Sequence, residues 1–289
     1  MAKPPFIARI GRHLSRPQAL PGLVWKNVRF VFSNRRAKPT TGASMGSRER
    51  RPETGSESLR KGAKVFDAKA GTYGSDTTKL LHSIPNEVEE FYRQDLEEVL
   101  GAFAAYKSVL EVGSGNGIFT RLLDRWGCEG IIGTDISPGM LRGAQARLPQ
   151  CRFELVTNES DPNLFPPATF DLIISRQLVC HLVDPIAVFE CWKTWLKPGG
   201  RIAVIDGLWT RNDWGPPSSQ SGDLVDDRPL SCTQTSATVS YLLSRANLTV
   251  KHRCLLNRVN GFAKTKYEIG QGRDPIFRFV IVASAELSP

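Results

Sequence analysis

The chain has no CxxC pair, few histidines and no long apolar run. Its six cysteines, Cys128, Cys151, Cys180, Cys191, Cys232 and Cys254, are scattered, and none stands at metal-ligand spacing from the four histidines. No metal is therefore expected. A disulfide-stapled exported domain is disfavoured, leaving free thiols in a reducing compartment. No apolar stretch approaches the roughly 18–20 residues of a membrane span, so the chain reads as soluble.

Acidic residues are missing as well, but only at one end. The first is Glu49, and residues 1–61 hold 14 Lys and Arg against 3 acids, a charge of +11. Because the whole chain carries +9, the remainder is at −2 and the basicity says little about what that remainder binds. Arg9, Arg12, Arg16, Lys26 and Arg29 alternate with Phe6, Ile10, Leu14, Trp25 and Phe30, while Pro17 and Pro21 interrupt any continuous helix. An organelle transit peptide, a weak membrane-surface contact, a nucleic-acid-binding arm and a plain solvated extension all remain open for residues 1–37. Residues 38–58, rich in Gly, Ser, Thr, Pro and Arg, read as a flexible linker. The division expected is 1–60 for the basic extension and linker and 61–289 for the main domain, with a cytoplasmic location or one directed to an organelle by the basic N-terminus.

From about residue 64 short apolar strands alternate with amphipathic helices. Strands are expected at 108–112, 130–134, 151–156, 170–175 and 201–205, with helices at 87–100, 118–126, 138–148 and 185–196 between or before them. That alternation predicts an α/β fold, a mostly parallel sheet with helices on both faces. After a polar stretch at 210–231, a helix near 238–246 and strands near 248–256 and 276–283 fit an antiparallel pair at one sheet edge.

The segment Glu111-Val-Gly-Ser-Gly-Asn-Gly117 joins a strand to a helix. A dinucleotide loop wants Gly-x-Gly-x-x-Gly, whose third glycine would fall on Ile118. A carboxylate before the loop, without the full phosphate fingerprint, suits a ligand with a cationic end better than a pyrophosphate. Asp135, at the end of the next strand, can take both hydroxyls of a ribose. Its competing role is helix capping, which Ser137 fills equally well.

With these residues in view, the chain resembles the class I S-adenosylmethionine (SAM)-dependent methyltransferases of small-molecule type over about residues 64–284. Four segments match in order: 111–117, Asp135-Ile-Ser-Pro-Gly-Met140, Phe170-Asp-Leu-Ile-Ile-Ser175 and Leu196-Lys-Pro-Gly-Gly-Arg201. The resemblance implies a single Rossmann-like domain, a seven-stranded sheet with an antiparallel C-terminal edge strand, and SAM as cofactor. It further implies that Glu111 meets the methionyl ammonium and that Gly113, Ser114 and Gly115 lie along the methionyl group and sugar. Asp135 would hold the ribose, with Ile136 and Met140 beside the adenine. Asn158, Glu159 and Ser160 stand where the family has Gly-Asp-Ala, with Glu159 as the acid. Arg176 and Gln177 would border the methyl donor, and Tyr73 would close over the methionyl carboxylate.

For the acceptor, Ser175-Arg176-Gln177-Leu178 replaces the Asp/Asn-Pro-Pro-aromatic run of amino-directed nucleic-acid enzymes. Cys180 follows Val179 rather than proline and is expected to pack as a small apolar residue. His181, shortly after the fourth strand, is the expected general base for a hydroxyl, with Asp206 as its orienting partner or an acceptor ligand. Asp184 reads as a helix cap before Pro185, and Trp192 and Trp195 as core. Residues 210–231, with Trp209, Trp214, Pro216 and Pro217, are the expected acceptor wall. A small-molecule partner is thus favoured over nucleic acid. A nucleic-acid methyltransferase using its tail and a non-catalytic SAM-binding partner protein stand as alternatives.

Overall fold

Successive side chains of a strand face opposite ways, and here both directions are apolar. Val109, Leu172, Ile174, Ala203, Ile205, Val280 and Val282 feed one buried cluster, while Leu110, Ile173, Ile202, Val204, Phe279, Ile281 and Ala283 feed another. A sheet apolar on both faces must be covered on both. In the computed structural model, which describes residues 55–73, 84–208, 224, 228–231, 234–263 and 277–285, it is.

The strands are β1 (Val109–Val112), β2 (Ile131–Asp135), β3 (Arg152–Leu155), β4 (Phe170–Arg176), β5 (Leu196–Gly207), β6 (Leu248–Leu255) and β7 (Arg278–Ala285). They form one seven-stranded sheet in the order β3-β2-β1-β4-β5-β7-β6. The pairings from β3 to β5 are parallel, and β7 runs antiparallel to both β5 and β6. The reversed C-terminal strand thus sits one place in from the edge, which β6 occupies. β5 is longer than expected because Leu196 already pairs with Phe170 before an irregularity restarts the register at Leu172 and Arg201.

The helices are α1 (Gly55–Lys69), α2 (Asn86–Leu100), α3 (Ile118–Arg125), α4 (Pro138–Arg147), α5 (Pro185–Trp195), α6 (Ser236–Arg245) and α7 (Asn257–Ala263). Val88, Tyr92 and Leu96 of α2, Phe119 and Leu122 of α3 and Val259 of α7 cover one face. Val188 and Trp192 of α5, with Val239 and Leu243 of α6, cover the other. The caps follow local chemistry. Ser137 Oγ accepts from the Met140 N–H at 3.1 Å and Asp184 Oδ1 from the Ala187 N–H at 3.1 Å, each with proline at the first helical position.

The expected linker needs correcting at its end. α1 begins at Gly55, crosses the expected 60/61 boundary, and buries Ser58 and Leu59. Its fastening is tertiary: Asp67 Oδ1 accepts from Ser137 Oγ at 2.7 Å and from the Gly139 N–H at 2.6 Å, so α1 is tied to the start of α4. The basic extension before Gly55 and most of the expected acceptor wall, including Trp209, Trp214, Pro216 and Pro217, lie outside the described residues. Among the described residues no helix is long and apolar enough to cross a membrane, and no cluster of side chains could hold a metal ion.

Candidate active site

In this strand order the chain turns back between β1 and β4, which opens a crevice beyond the carboxyl ends of the strands. A cleft of about 1080 Å³, counted to its open mouth, lies there. Glu111 comes from β1, Asp135 from β2, Arg176 from β4, and Phe66 and Tyr73 arrive with α1 and the turn after it.

The β1–α3 loop makes the floor. Gly113 sits at φ +73°, and a Cβ there would lie 2.8 Å from Leu178 Cδ1, so conformation and space both require glycine. The Gly113 and Ser114 N–H groups both donate to the Thr134 carbonyl at 2.8 Å, which binds the loop to the end of β2.

Two carboxylates face this floor in unfavourable surroundings. Glu111 is 1% exposed and accepts from Thr120 Oγ1 of α3 at 2.5 Å, yet burial still pushes its pKa up to about 8. The Arg176 charge opposes that rise without cancelling it. Asp135 accepts from the Gly115 and Ser137 N–H groups at 2.9 Å each, and burial outweighs those bonds to raise its pKa to about 6. Buried carboxyl groups with raised pKa values in a cleft point to a binding site. They are also groups that a cation or a pair of hydroxyl donors would stabilise as anions.

The donor expected from the motifs fits these residues. Glu111 offers a carboxylate for an ammonium, and each oxygen of Asp135 keeps a lone pair for a ribose hydroxyl beyond the bond it already accepts. Ser114 Oγ, buried in the cleft wall, has no hydrogen-bond partner among the described residues and can serve a bound ligand. Ile136, Met140, Val156 and Leu178 supply apolar wall for a base. Glu159 also lines the cleft, but its Oε1 accepts from the Val183 and Asp184 N–H groups at 2.8 and 3.4 Å, and burial raises its pKa. Asn158 and Ser160 do not line the cleft. Asn158 Oδ1 instead accepts from the Ser160 N–H and Oγ, both at 3.2 Å, in a surface turn.

Arg176 lines the cleft with its guanidinium carbon 5.9 Å from the centre of the Phe119 ring. Gln177 beside it holds φ +56°, a left-handed conformation uncommon outside glycine, and its N–H donates to the Ile205 carbonyl at 2.9 Å. Strain of this kind collects where a loop is shaped for a ligand. Tyr73 lines the cleft as well, its carbonyl accepting from Asn116 Nδ2 at 2.6 Å.

His181 closes a short 3-10 turn, Val179–His181, after β4 and faces the cleft, where the Phe66 ring meets it edge-on at 5.1 Å. Burial, with the Arg228 and Lys69 charges next, lowers its pKa to about 3. Asp206 does not stand in the cleft. It is 1% exposed, and its carboxylate accepts from the Val179 N–H at 3.1 Å and the Gly207 N–H at 2.9 Å, so it holds the base of the turn that carries His181. Cys180 is buried, as expected of a small apolar residue, and Trp192 and Trp195 are core. Trp195 also lines the cleft, its Nε1 donating to the Pro162 carbonyl at 2.9 Å.

Comparison with known proteins agrees with this layout. A family model described as a methyltransferase domain matches residues 85–252, more than half of the chain. Phosphoethanolamine N-methyltransferase 1 of Zea mays is 30% identical over 125 residues, 42% of this chain and 24% of that protein. Demethylmenaquinone methyltransferase of Tropheryma whipplei is 36% identical over 149 residues, 50% of this chain and 57% of that protein. The match thus spans between a quarter and somewhat over half of these relatives' lengths. Geranyl diphosphate C-methyltransferase from Streptomyces coelicolor, solved with Mg²⁺, geranyl diphosphate and S-adenosyl-L-homocysteine, superposes at a TM-score of 0.56. That alignment covers 79% of this chain and 98% of that one at 14% identity, a likeness of fold. The chain belongs to the class I SAM-dependent methyltransferases.

Proposed function

We propose that this chain transfers the methyl group of SAM to a small-molecule acceptor bound on the His181 side of the cleft. The observation that carries the reading is that one cleft is lined by unlike groups: Glu111 and Asp135, two buried carboxyl groups, together with His181, an imidazole set against the edge of the Phe66 ring. The curated relatives are named for small-molecule acceptors.

SAM supplies an electrophilic methyl on a sulfonium, so the protein's work is alignment and exclusion of water. Glu111 fixes the ammonium end and Asp135 the ribose, which turns the sulfonium toward His181. Phe66, at the edge of that imidazole, keeps the approach dry. His181 accepts a hydrogen bond from the acceptor's hydroxyl and takes its proton as the new bond forms. A pKa near 3 makes it a weak base in the free protein. A methylated hydroxyl that still holds its proton is an oxonium, a far stronger acid, so late transfer to neutral imidazole remains downhill.

The test is incubation of the full chain and isotopically methyl-labelled SAM with metabolite extract, before and after nuclease treatment. Label in small molecules, unaffected by nuclease, is expected. Label confined to nucleic acid would overturn the reading.

A further inference from the structure

Phe66 and Tyr73 line the cleft from α1 and the turn after it, and neither belongs to the sheet that builds most of the site. Their placement depends on how α1 is fastened. Asp67, next to Phe66, uses one oxygen, Oδ1, to accept from Ser137 Oγ at 2.7 Å and from the Gly139 N–H at 2.6 Å. The Ser137 N–H in turn donates to Asp135 Oδ1 at 2.9 Å, so Asp67 is joined to Asp135 through a single residue. Beyond α1, the Tyr73 carbonyl accepts from Asn116 Nδ2, in the β1–α3 loop. At the helix start, Arg228 Nη2 donates to the Ser58 carbonyl at 3.0 Å and Nη1 to Ser58 Oγ. α1 and its turn therefore hold both loops that carry the expected donor residues. The facing surface is shaped for a close approach. A Cβ on Gly139 would stand 2.7 Å from Asp67 Oδ1 and 3.0 Å from Ala70 Cβ, and one on Gly62 would stand 3.3 Å from Ile136 Cδ1. The Asp67 carboxylate could swing aside, but Ala70 Cβ moves only with the helix.

We propose that Asp67 is a positioning residue of this site: its carboxylate seats α1 against the start of α4 and so sets Phe66 against His181 and Tyr73 in the cleft wall. Asp67 is exposed and does not line the cleft, so it acts through the residues it holds. The bond from Ser137, then that from Gly139, keeps its carboxyl below the ordinary carboxylate range, and bonds to an ionised acceptor are the stronger kind. A donor that meets walls supplied by α1 binds the seated helix better than the unseated one, so seating and binding favour each other. The inference rests on the reading above that SAM occupies this cleft.

Because both bonds end on Oδ1, the carbonyl oxygen of an amide can accept both, and Asp67→Asn should keep α1 seated where Asp67→Ala releases it. The test uses the full chain and S-adenosyl-L-homocysteine, with affinity read by calorimetry and release by stopped-flow displacement. Asp67→Ala should bind about fivefold more weakly or worse, through faster release, with Asp67→Asn within about twofold of wild type. Gly139→Ala probes the same contact from the α4 side. Its methyl group favours the helix and should not lower the ligand-free melting temperature, yet by pressing on Ala70 it should also weaken binding. Wild-type affinity and release in Asp67→Ala overturn the inference, whether or not melting falls, since a merely structural carboxylate would lower melting alone. An asparagine variant as weak as the alanine variant overturns it too. Failure of the wild-type chain to bind S-adenosyl-L-homocysteine would count against the donor assignment instead. Hydrogen exchange of the α1 amides without ligand, faster in Asp67→Ala than in Asp67→Asn, would then still decide the seating.

Discussion

Thr120 Oγ1, on α3, donates to the carboxylate of Glu111, on β1, at 2.5 Å, and this side-chain bond does not suffice to keep the buried acid ionised. Glu111 stays largely protonated at neutral pH until something cationic enters the cleft. Binding of SAM should therefore release protons. With pKa values raised to about 8 for Glu111 and about 6 for Asp135, release at pH 7 should approach one proton and come chiefly from Glu111. It should fade above pH 9, where both acids are already ionised. Calorimetry in buffers of different ionisation enthalpy measures it, and no release at pH 7 would remove Glu111 as the ammonium's partner.

The same shift predicts a stability trend. An acid whose pKa is higher folded than unfolded makes the folded state bind more protons between the two values, so stability falls as pH rises through that window. For Glu111 the window runs from 4.5 to about 8. Glu111→Gln should flatten the decline and raise the ligand-free melting temperature at pH 8 by a few degrees, at about 2–4 °C per kcal/mol for a domain this size. SAM binding should be lost in the same variant. A melting temperature that falls at pH 8 would show that the carboxylate is structurally required.

The place of both carboxylates in the cleft was legible in the sequence, because the glycine loop and the strand ends it joins lie at the carboxyl edge of the sheet. The parallel sheet was legible too, since strands buried on both faces must be continuously apolar. α1 was not. Its buried residues are Ser58, Leu59, Gly62 and Val65, too few and too small to mark an apolar stripe, and its position comes from Asp67 on Ser137 and Gly139. Arg228 escaped for a related reason: it meets Ser58 across 170 positions, and no local pattern reports a contact of that separation. Asp206 was expected to orient His181 or bind the acceptor from its place at the end of β5, and its bond from the Val179 N–H ties it to the turn that carries His181 rather than into the cleft. α7, seven residues containing a glycine, carries no helical signal of its own.

Asp135 has a structural duty beside the ligand role proposed for it, since it accepts from the Gly115 and Ser137 N–H groups. Asp135→Ala should therefore lower both SAM affinity and ligand-free stability, the latter by about 1–3 kcal/mol for two lost acceptors. Asp135→Asn keeps one acceptor oxygen and should lose less stability than the alanine variant, yet bind SAM about tenfold more weakly or worse. Equal SAM affinity in Asp135→Asn and wild type would assign the ribose to another residue.

For His181 the shift to about pH 3 moves the expected acid limb of the pH–rate profile well below the 6.5 of an ordinary imidazole. Between pH 5 and 7 the wild-type rate should not fall through His181 protonation. His181→Gln and His181→Ala should each lose about 10²–10⁴-fold in turnover at unchanged SAM affinity if the imidazole takes the acceptor's proton. A loss under about fivefold would reduce His181 to ordering the loop, with catalysis left to proximity. An acid limb near 6.5 that vanishes in His181→Gln would show that the bound acceptor restores the imidazole's basicity.

Gly113 separates backbone strain from steric exclusion. At φ +73° an alanine is strained wherever its methyl points, and that methyl would also sit 2.8 Å from Leu178 Cδ1. Gly113→Ala should cost about 1–3 kcal/mol of stability and weaken SAM binding, because the loop must shift or Leu178 must leave the cleft wall. Leu178→Ala alone opens a gap beside the loop and should weaken SAM binding by lost apolar contact. Combined, the two substitutions should be less damaging than their sum, since shortening Leu178 makes room for the methyl while the strain in φ remains. A double-mutant cycle on melting and SAM affinity reads that coupling directly. Strict additivity would mean that Leu178 already yields to the added methyl, leaving backbone conformation as the sole reason for glycine at this position.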